Sequence, residues 1–357
     1  MTAAELWERL SARGLVEGEA PPERPPQSFW YVRVMLGIAG WIGGAFLIGF
    51  VAAAFSLLVS GQGIPVVLGA ACCAGAYALF RAFDGQAFAE QFALALSLAG
   101  QGLVVMGLFQ LMGERGPAPY LAVAAVEAGL VLAVPNFLHR VLAAGGAAVA
   151  VALALAQLSL QALSIPLLCA GMALAWLEPR RWARQGRLWR PVGYGLVLAL
   201  LLVETFRLFG AAGFLFGWRE SASDGHGDYQ ALAGRGMSAA LLVCVAALLS
   251  LGDKPRRASS SSASAIGAAL LLGLISLKAP GLASALLVLL LGFAAANRLL
   301  MALGILSLLG FVTHFYYSLH ATLLAKSGLL AATGLCLLAA HMVIRRLPAE
   351  GGDASHA

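Results

Sequence analysis

The sequence predicts an all-α fold: a polytopic transmembrane helical bundle of about 12 spans, with both termini on the cytoplasmic side. Of the 357 residues, 61% are apolar and only 11% are charged, whereas soluble domains carry about 25% charged residues. Apolar runs of roughly 20 residues, the length that crosses a bilayer as a helix, recur between residues 34 and 344. These runs do not alternate apolar and polar residues, so helices are favoured over the strands of a barrel.

Residues 1–33 are predicted to form a cytoplasmic segment before the first span. Residues 2–5 fit a capping box, and Leu6 and Leu10 share one helical face, so a short amphipathic helix is expected there. That helix either lies on the membrane or on the protein's own loops, or it binds a partner. The proline-rich stretch at residues 21–26 is then a linker to the membrane domain.

The transmembrane domain covers residues 34–344 and is followed by a polar tail, 345–357, that is predicted to be disordered. Gly40 and Gly44 in the first span have G-x-x-x-G spacing, which permits close helix contact. The divisions between spans five and six and between spans nine and ten are the weakest, and either pair could be one long or re-entrant segment. The predicted spans are about 34–60, 64–80, 87–112, 118–134, 140–156, 162–177, 191–216, 236–252, 265–277, 282–296, 299–318 and 322–344.

The distribution of basic residues predicts the orientation of these spans. Of the 23 Lys and Arg residues, 17 fall in segments on the side of the N-terminus and five fall in the loops of the opposite side. Because cytoplasmic loops carry an excess of Lys and Arg, the N-terminus and the C-terminus are both placed inside. The net charge of +6 therefore reflects topology, and no nucleic-acid partner is expected.

The cysteines are predicted to be packing residues. None has metal-ligand spacing, so neither a disulfide nor a metal site is expected from them. No cleaved signal peptide is expected either, because the first apolar run is too long for one and follows a polar segment. The five cysteines all lie inside apolar runs, at Cys72, Cys73, Cys169, Cys244 and Cys336.

A few ionisable or polar residues within the spans form a candidate intramembrane site. A charged group at the middle of a span raises the free energy of membrane insertion by about 2.5–3.5 kcal/mol, so its presence there needs an explanation. Glu204 and Arg207 are three residues apart on one face of span seven, and Glu127 and Gln101 lie near the middle of spans four and three. The pair either neutralises itself in the bundle interior or forms a substrate or proton site, and Glu127 either makes interhelical hydrogen bonds or joins that site.

A second polar cluster is predicted on the outer face. Asp224, His226 and Asp228 alternate along a glycine-containing loop, and His314 and His320 flank the outer end of span eleven. Such groups could build a zinc site or an acid–base pair. D-x-H-x-D is not a defined metal motif, so a solvated loop with interfacial histidines is favoured. The sequence also lacks a P-loop, a G-x-S-x-G elbow and an H-E-x-x-H motif, and no metal or catalytic residue is assigned.

Two stretches, FWYVRVMLGIAGWIGGAFLIGF at residues 29–50 and YYSLHATLLAKSGLLAATGLCLL at residues 316–338, carry a family resemblance. With these stretches the chain resembles a bacterial membrane-protein family catalogued only as a domain of unknown function. The resemblance covers nearly the whole chain and implies a multi-pass inner-membrane protein. It supplies no established activity, and therefore no catalytic residues.

Relatives in that family often accompany a second multi-pass family and a periplasmic protein named for a G-D-Y-x-x-L-x-Y motif. Gly227, Asp228, Tyr229 and Leu232 match most of this motif, but Gly234 stands at the position of its final tyrosine. We interpret this partial match as coincidence.

The sequence favours a non-enzymatic inner-membrane protein that works as a component of a membrane complex. The lipid bilayer and a membrane or periplasmic protein are its expected partners, and no cofactor is expected. One alternative is a secondary transporter of a small solute, coupled to protons through Glu204, Arg207 and Glu127. Another is a membrane-embedded enzyme on the outer face that uses its histidines.

Overall fold

The computed structural model is helical and contains no strand in the residues that it describes, so the predicted all-α class is confirmed. Those residues are 3–14, 31–32, 35–40, 42–44, 46, 49–50, 63–83, 86–113, 115–177, 185–208, 226–251 and 260–318. A single 3-10 turn, Gln161–Leu163, precedes the sixth helix listed below. The helices are α1 (Ala3–Ser11), α2 (Ile64–Ala82), α3 (Ala87–Met112), α4 (Ala118–Ala133), α5 (Phe137–Gln157), α6 (Ser164–Leu177), α7 (Gly186–Leu208), α8 (His226–Leu251), α9 (Ser260–Ser276), α10 (Leu282–Ala294) and α11 (Arg298–Ser318).

The chain divides into two compact units, Met1–Glu114 and Arg115–Ala357, here called the N-terminal unit and the C-terminal unit. In the N-terminal unit α2 and α3 pack along their length as a helical hairpin. A Cβ added at Gly69 would lie only 2.5 Å from the carbonyl oxygen of Gly100, so the two backbones touch there. Gly40 and Gly44 lie against Gln91 and Ala95 of α3, which confirms the helix contact predicted from their spacing.

In the C-terminal unit, α4 packs on α5, α5 on α7, α6 on α7 and α8, and α10 on α11. Six of these helices, α5 to α8 with α10 and α11, contribute the fully or nearly fully buried side chains of one apolar core. Met172, Leu200 and Leu287 are among its largest members, each with no exposed surface. This core brings helices that are distant in sequence into contact.

The outward surfaces of the helices are strongly apolar. Val67, Leu132, Leu174, Phe293 and Leu306 each expose between 67% and 74% of their surface. Large apolar side chains that are this exposed on so many helices are typical of a membrane environment. Among the described residues, six helices (α2, α3, α5, α7, α8 and α11) are long and apolar enough to cross a membrane, which indicates a membrane protein.

Two pairs of predicted spans prove to be separate helices. Ser159, with φ +59°, follows the end of α5, and the 3-10 turn then leads into α6. Gly281, with φ +81°, separates α9 from α10. The 13 residues of α10 extend for about 20 Å against a hydrocarbon thickness of about 30 Å. The number of helices in this chain therefore need not equal the number of membrane spans.

The helix α7 begins earlier than predicted, and an arginine of α5 supplies the hydrogen-bond donor that a proline inside this helix lacks. The helix begins at Gly186 rather than at Pro191, which lies inside it. Proline lacks the N–H that would bond the carbonyl four residues earlier, here that of Arg187. Arg140 of α5 supplies a donor instead, from Nη1 to the Arg187 carbonyl at 3.0 Å.

Arg140 also replaces the hydrogen-bond donor that is missing at a second proline. Its Nε donates at 3.0 Å to the carbonyl of Val131, whose partner four residues later would be Pro135. Arg140 therefore replaces two missing backbone donors and joins the end of α4 and the start of α7 to α5.

The start of α8 also lies earlier than predicted. This helix begins at His226 rather than near residue 236, so the predicted outer loop is in part helical. Hydropathy marks where a segment enters lipid, whereas a helix can begin among polar residues. The linker at 21–26, predicted span twelve and the tail lie outside the described residues, as does most of span one.

Candidate functional site

Glu204 lies one turn before the described end of α7, with only 5% of its surface exposed. The hydroxyl of Ser284 on α10 donates a hydrogen bond of 2.6 Å to its Oε1. A hydrogen bond from a hydroxyl to a buried carboxyl offsets part of the cost of removing that group from water. The carboxyl thus forms a link between two helices that are 80 residues apart in sequence.

Four buried polar side chains from four helices meet around this link. Cys169, on α6, lies close to the Ser284 and Ser238 hydroxyls and interacts electrostatically with Glu204. Ser238, on α8, donates its single hydrogen to the Gly234 carbonyl at 3.0 Å. We call Cys169, Glu204, Ser238 and Ser284 the Glu204 cluster; each is at most 5% exposed.

Two arginines lie at the edge of the Glu204 cluster. Arg207 and Arg235 both interact electrostatically with the Glu204 carboxyl. Arg235, in α8, donates from Nη1 to the Leu277 carbonyl at 3.2 Å. The contacts of the described residues join Glu204 to Ser284 and do not include a direct ion pair with Arg207. The predicted charge pair is thus an interaction through space, while the contact partner is a hydroxyl.

Glu127 occupies a different place. It lies in α4, is 5% exposed, and packs against Gly146 of α5, where an added Cβ would lie 3.5 Å from its Cδ. Its Oε2 has no hydrogen-bond partner among the described residues. The structure therefore does not place Glu127 in the Glu204 cluster.

Gln101 belongs to the N-terminal unit. It lies in α3, is 7% exposed, and donates from Nε2 to Ser97 Oγ at 3.3 Å. It is buried, and this contact lies within its own helix.

The outer-face cluster is described only in part. His226 and Asp228 are backbone positions in the first turn of α8, and His314 lies in α11. Asp224 and His320 lie outside the described residues. Within the described part of the chain, no group of three or more His, Cys, Asp or Glu residues is placed to hold a metal ion. The solvated loop with interfacial histidines stays a prediction, with a zinc site or an acid–base pair as its alternative.

A cavity of about 730 Å³ lies elsewhere in the C-terminal unit. It is bounded by the last residues of α6, α8 and α10 and the first turns of α7 and α11, which is the cytoplasmic end in the predicted orientation. Its lining includes Trp176, Arg190, Tyr194, Asn297 and Arg298, and none of the residues predicted for a site. Sequence reasoning missed this cavity because its walls come from five separate helices.

Asn297 organises one wall of the cavity. Its Oδ1 accepts hydrogen bonds from the backbone N–H groups of Leu299 and Leu300, at 3.1 and 3.2 Å, and so caps α11. Its Nδ2 donates to the Tyr194 hydroxyl at 2.6 Å. The Tyr194 ring in turn meets the Trp176 ring edge-on, with centroids 5.1 Å apart. These contacts hold the aromatic side chains in fixed positions.

Comparison with known proteins adds a family but no activity. No similarity to a curated protein or to a solved structure was found. The sequence model of one family matches residues 29–347, nearly the whole chain, and confirms the resemblance predicted from the two ends of the membrane domain. The chain therefore belongs to the family described as a domain of unknown function (DUF4401).

Proposed function

We propose that this protein is a non-enzymatic, multi-pass protein of the bacterial inner membrane that works as a component of a membrane complex. One observation carries the proposal: Glu204 is engaged in a closed contact with Ser284 and does not line the described cavity. Its burial and its bond are those of a group that joins helices. The intramembrane charge that most suggested transport is thereby explained by assembly of the bundle.

The proposal includes twelve spans with both termini in the cytoplasm. The charge count of 17 against five supports it. The described helix ends are consistent with it, since Arg190 and Arg298 line one cavity, while Arg235 contacts Leu277 at the other end of α8. Reporter fusions placed after residues 84, 114, 279 and 357 test it. Phosphatase activity is expected from the fusions at 114 and 279 only, and activity at 357 would contradict an inside C-terminus.

Purification at native abundance tests the complex. The chain, tagged at its C-terminus in the chromosome, is extracted in a mild detergent and its companions are quantified by mass spectrometry. A second membrane protein in constant proportion is expected, and it should be absent from an unrelated multi-pass protein with the same tag. Deletion of the companion should lower the level of this chain. Recovery of this chain alone, with or without further copies of itself, would contradict the proposal.

A proton-coupled transporter is the second candidate, and one observation favours it. Glu127 keeps a buried carboxyl oxygen without a partner among the described residues, as a proton-carrying group would. Proteoliposomes with a trapped pH-sensitive dye distinguish the two candidates. A component of a complex leaves the proton leak unchanged in Glu127→Gln, Glu204→Gln and the exposed control Glu8→Gln. A leak that only the first two variants abolish would establish transport instead.

A further inference from the structure

We propose that the cavity at the predicted cytoplasmic end of the C-terminal unit binds a phosphate-bearing anion that also has an apolar portion. An anionic phospholipid and a soluble organic phosphate share this chemistry. The site is independent of the Glu204 cluster, and it does not rest on the proposed role in a complex.

The charge of the lining supports an anionic ligand. Arg190 and Arg298 both line the cavity, and the described lining contains no aspartate or glutamate. Both arginines are exposed, and neither has a carboxylate partner among the described residues. Arginine stays protonated, and two guanidiniums around one concave site, with no carboxylate in the described lining, attract an anion.

A neutral polar group of the lining is a donor as well. Asn297 must direct its Nδ2 at Tyr194, because its Oδ1 already caps α11. The Tyr194 oxygen therefore accepts from Asn297, and its own hydrogen is left for another acceptor. Two cations and one neutral donor, the Tyr194 hydroxyl, thus lie around the same space.

Where α10 ends and α11 begins, the α10 carbonyls are hydrogen-bonded and the start of α11 favours an anion electrostatically. The final carbonyls of α10 are occupied, since Leu291 and Gly292 accept from the backbone N–H groups of Ala295 and Asn297, both at 2.9 Å. The first turn of α11 begins at the same place, and a helix N-terminus carries partial positive charge. This positive helix end lies beside Arg298, while the C-terminal ends of α6, α8 and α10, which carry partial negative charge, also border the cavity, so the arginines are the main attraction for an anion.

The size of the cavity and its remaining wall indicate the rest of the ligand. A volume of about 730 Å³ lies within the range of roughly 300–1,000 Å³ typical of sites for organic ligands, and a bare ion would leave most of it empty. Leu177, Trp189, Leu249 and Leu299 form an apolar part of the wall. Phosphate fits the donors better than carboxylate does, because it offers three acceptor oxygens to two forked guanidiniums.

Binding to the purified full-length chain tests the proposal with two probes. One arm counts dioleoylphosphatidylglycerol against dioleoylphosphatidylcholine on the protein by native mass spectrometry. The other arm titrates phenyl phosphate and follows tryptophan fluorescence. Preferential, saturable binding of the first anion identifies a lipid site, and saturable binding of the second identifies a soluble phosphate. If the intact protein shows neither, the proposal is overturned.

Variants decide whether the cavity is the site. Arg190→Gln with Arg298→Gln is expected to weaken binding at least tenfold, since a hydrogen bond to a charged group contributes about 1.5–3 kcal/mol. Arg187→Gln removes an exposed arginine one turn away on α7 that does not line the cavity, and it should change binding less than twofold. Equal losses in the pair and the control would show non-specific attraction and overturn the proposal.

A conservative single substitution provides a second test in case the double variant does not fold. Tyr194→Phe keeps an aromatic ring and removes the hydroxyl hydrogen that is left for a ligand. It should weaken binding about threefold to tenfold, the loss expected for one hydrogen bond, while the elution profile in detergent stays that of the wild type. Unchanged binding by this variant in a folded protein would also contradict the site.

Discussion

In the N-terminal unit the α2–α3 contact at Gly69 is made by bare backbone, whereas in the C-terminal unit the contacts at Glu204 and Arg140 are made by polar side chains. Gly69 and Gly100 let two helices touch without side chains between them. Glu204 and Ser284 join α7 to α10 by a carboxyl–hydroxyl bond, and Arg140 joins α4 and α7 to α5 through two backbone carbonyls. Each unit contains both kinds of contact, since Cys73 of α2 donates to the Ser97 carbonyl of α3, and Gly145 and Gly195 bring the backbones of α5 and α7 together.

The difference shows two solutions to one physical problem. In lipid there is no hydrophobic gain from bringing apolar helices together, so close packing and interhelical hydrogen bonds must hold them. A backbone contact should fail when volume is added, and a polar contact should fail when one partner is removed. A substitution that adds volume therefore tests the backbone contact, and a substitution that removes a polar group tests the polar contacts.

The largest effect is expected from Gly69→Ala. The new methyl group would lie 2.5 Å from the Gly100 carbonyl oxygen and 2.8 Å from the Val104 nitrogen, both backbone atoms, so the helices must separate. We expect a loss of about 3 kcal/mol, at the upper end of overpacking costs, measured by detergent-induced unfolding. Gly102→Ala is the control, because a Cβ there has nothing within 4 Å. Equal stability of the two variants would refute the contact.

Arg140→Gln should have the next largest effect. Truncation leaves the carbonyls of Val131 and Arg187 without the donors that replace the missing proline N–H groups. A loss of about 2 kcal/mol is expected, since a buried unsatisfied group costs about 1–3 kcal/mol and this site is partly exposed. Thermal stability in detergent measures it, with Arg187→Gln as the control because that substitution retains the carbonyl. The idea fails if the control is equally destabilised.

Ser284→Ala should have a smaller effect, because it removes one hydrogen bond to Glu204. Interhelical hydrogen bonds in membranes contribute from about 0.6 to 1.7 kcal/mol, so a loss near 1 kcal/mol is expected. A double-mutant cycle with Glu204→Gln measures the coupling directly. Ser307→Ala is the matched control, since Ser307 bonds only to carbonyls of its own helix among the described contacts. Additivity of the two substitutions would show that no link exists.

The linear sequence predicted the helical class, several helix boundaries and the presence of a few polar side chains within the apolar helices. Glu127, Glu204 and Gln101 are all at most 7% exposed. Their partners were not predictable, because Ser284 is 80 residues from Glu204 and serine is common in apolar runs. The cysteines were predicted to be packing residues; Cys169 is buried beside polar groups of three other helices, whereas Cys244 is exposed.

Hydropathy misplaced two helix starts for a related reason. It predicts contact with lipid, while a helix start depends on backbone donors and acceptors. The donor for Arg187 comes from Arg140, 47 residues earlier. The polar first turns of α8 extend beyond the apolar run in the same way.

What the sequence determined by itself is the membrane environment, the helical class and the family, since these follow from composition, from the length of apolar runs and from local pattern. Tertiary structure alone decided which polar groups meet. It gave Glu204 a partner on another helix, left a Glu127 oxygen without one among the described residues, and gathered Arg190, Arg298, Trp176 and Tyr194 around one cavity. The physical reason is that apolar helices carry almost no local signal for their partners, so neighbours are chosen by packing and hydrogen bonds between distant segments.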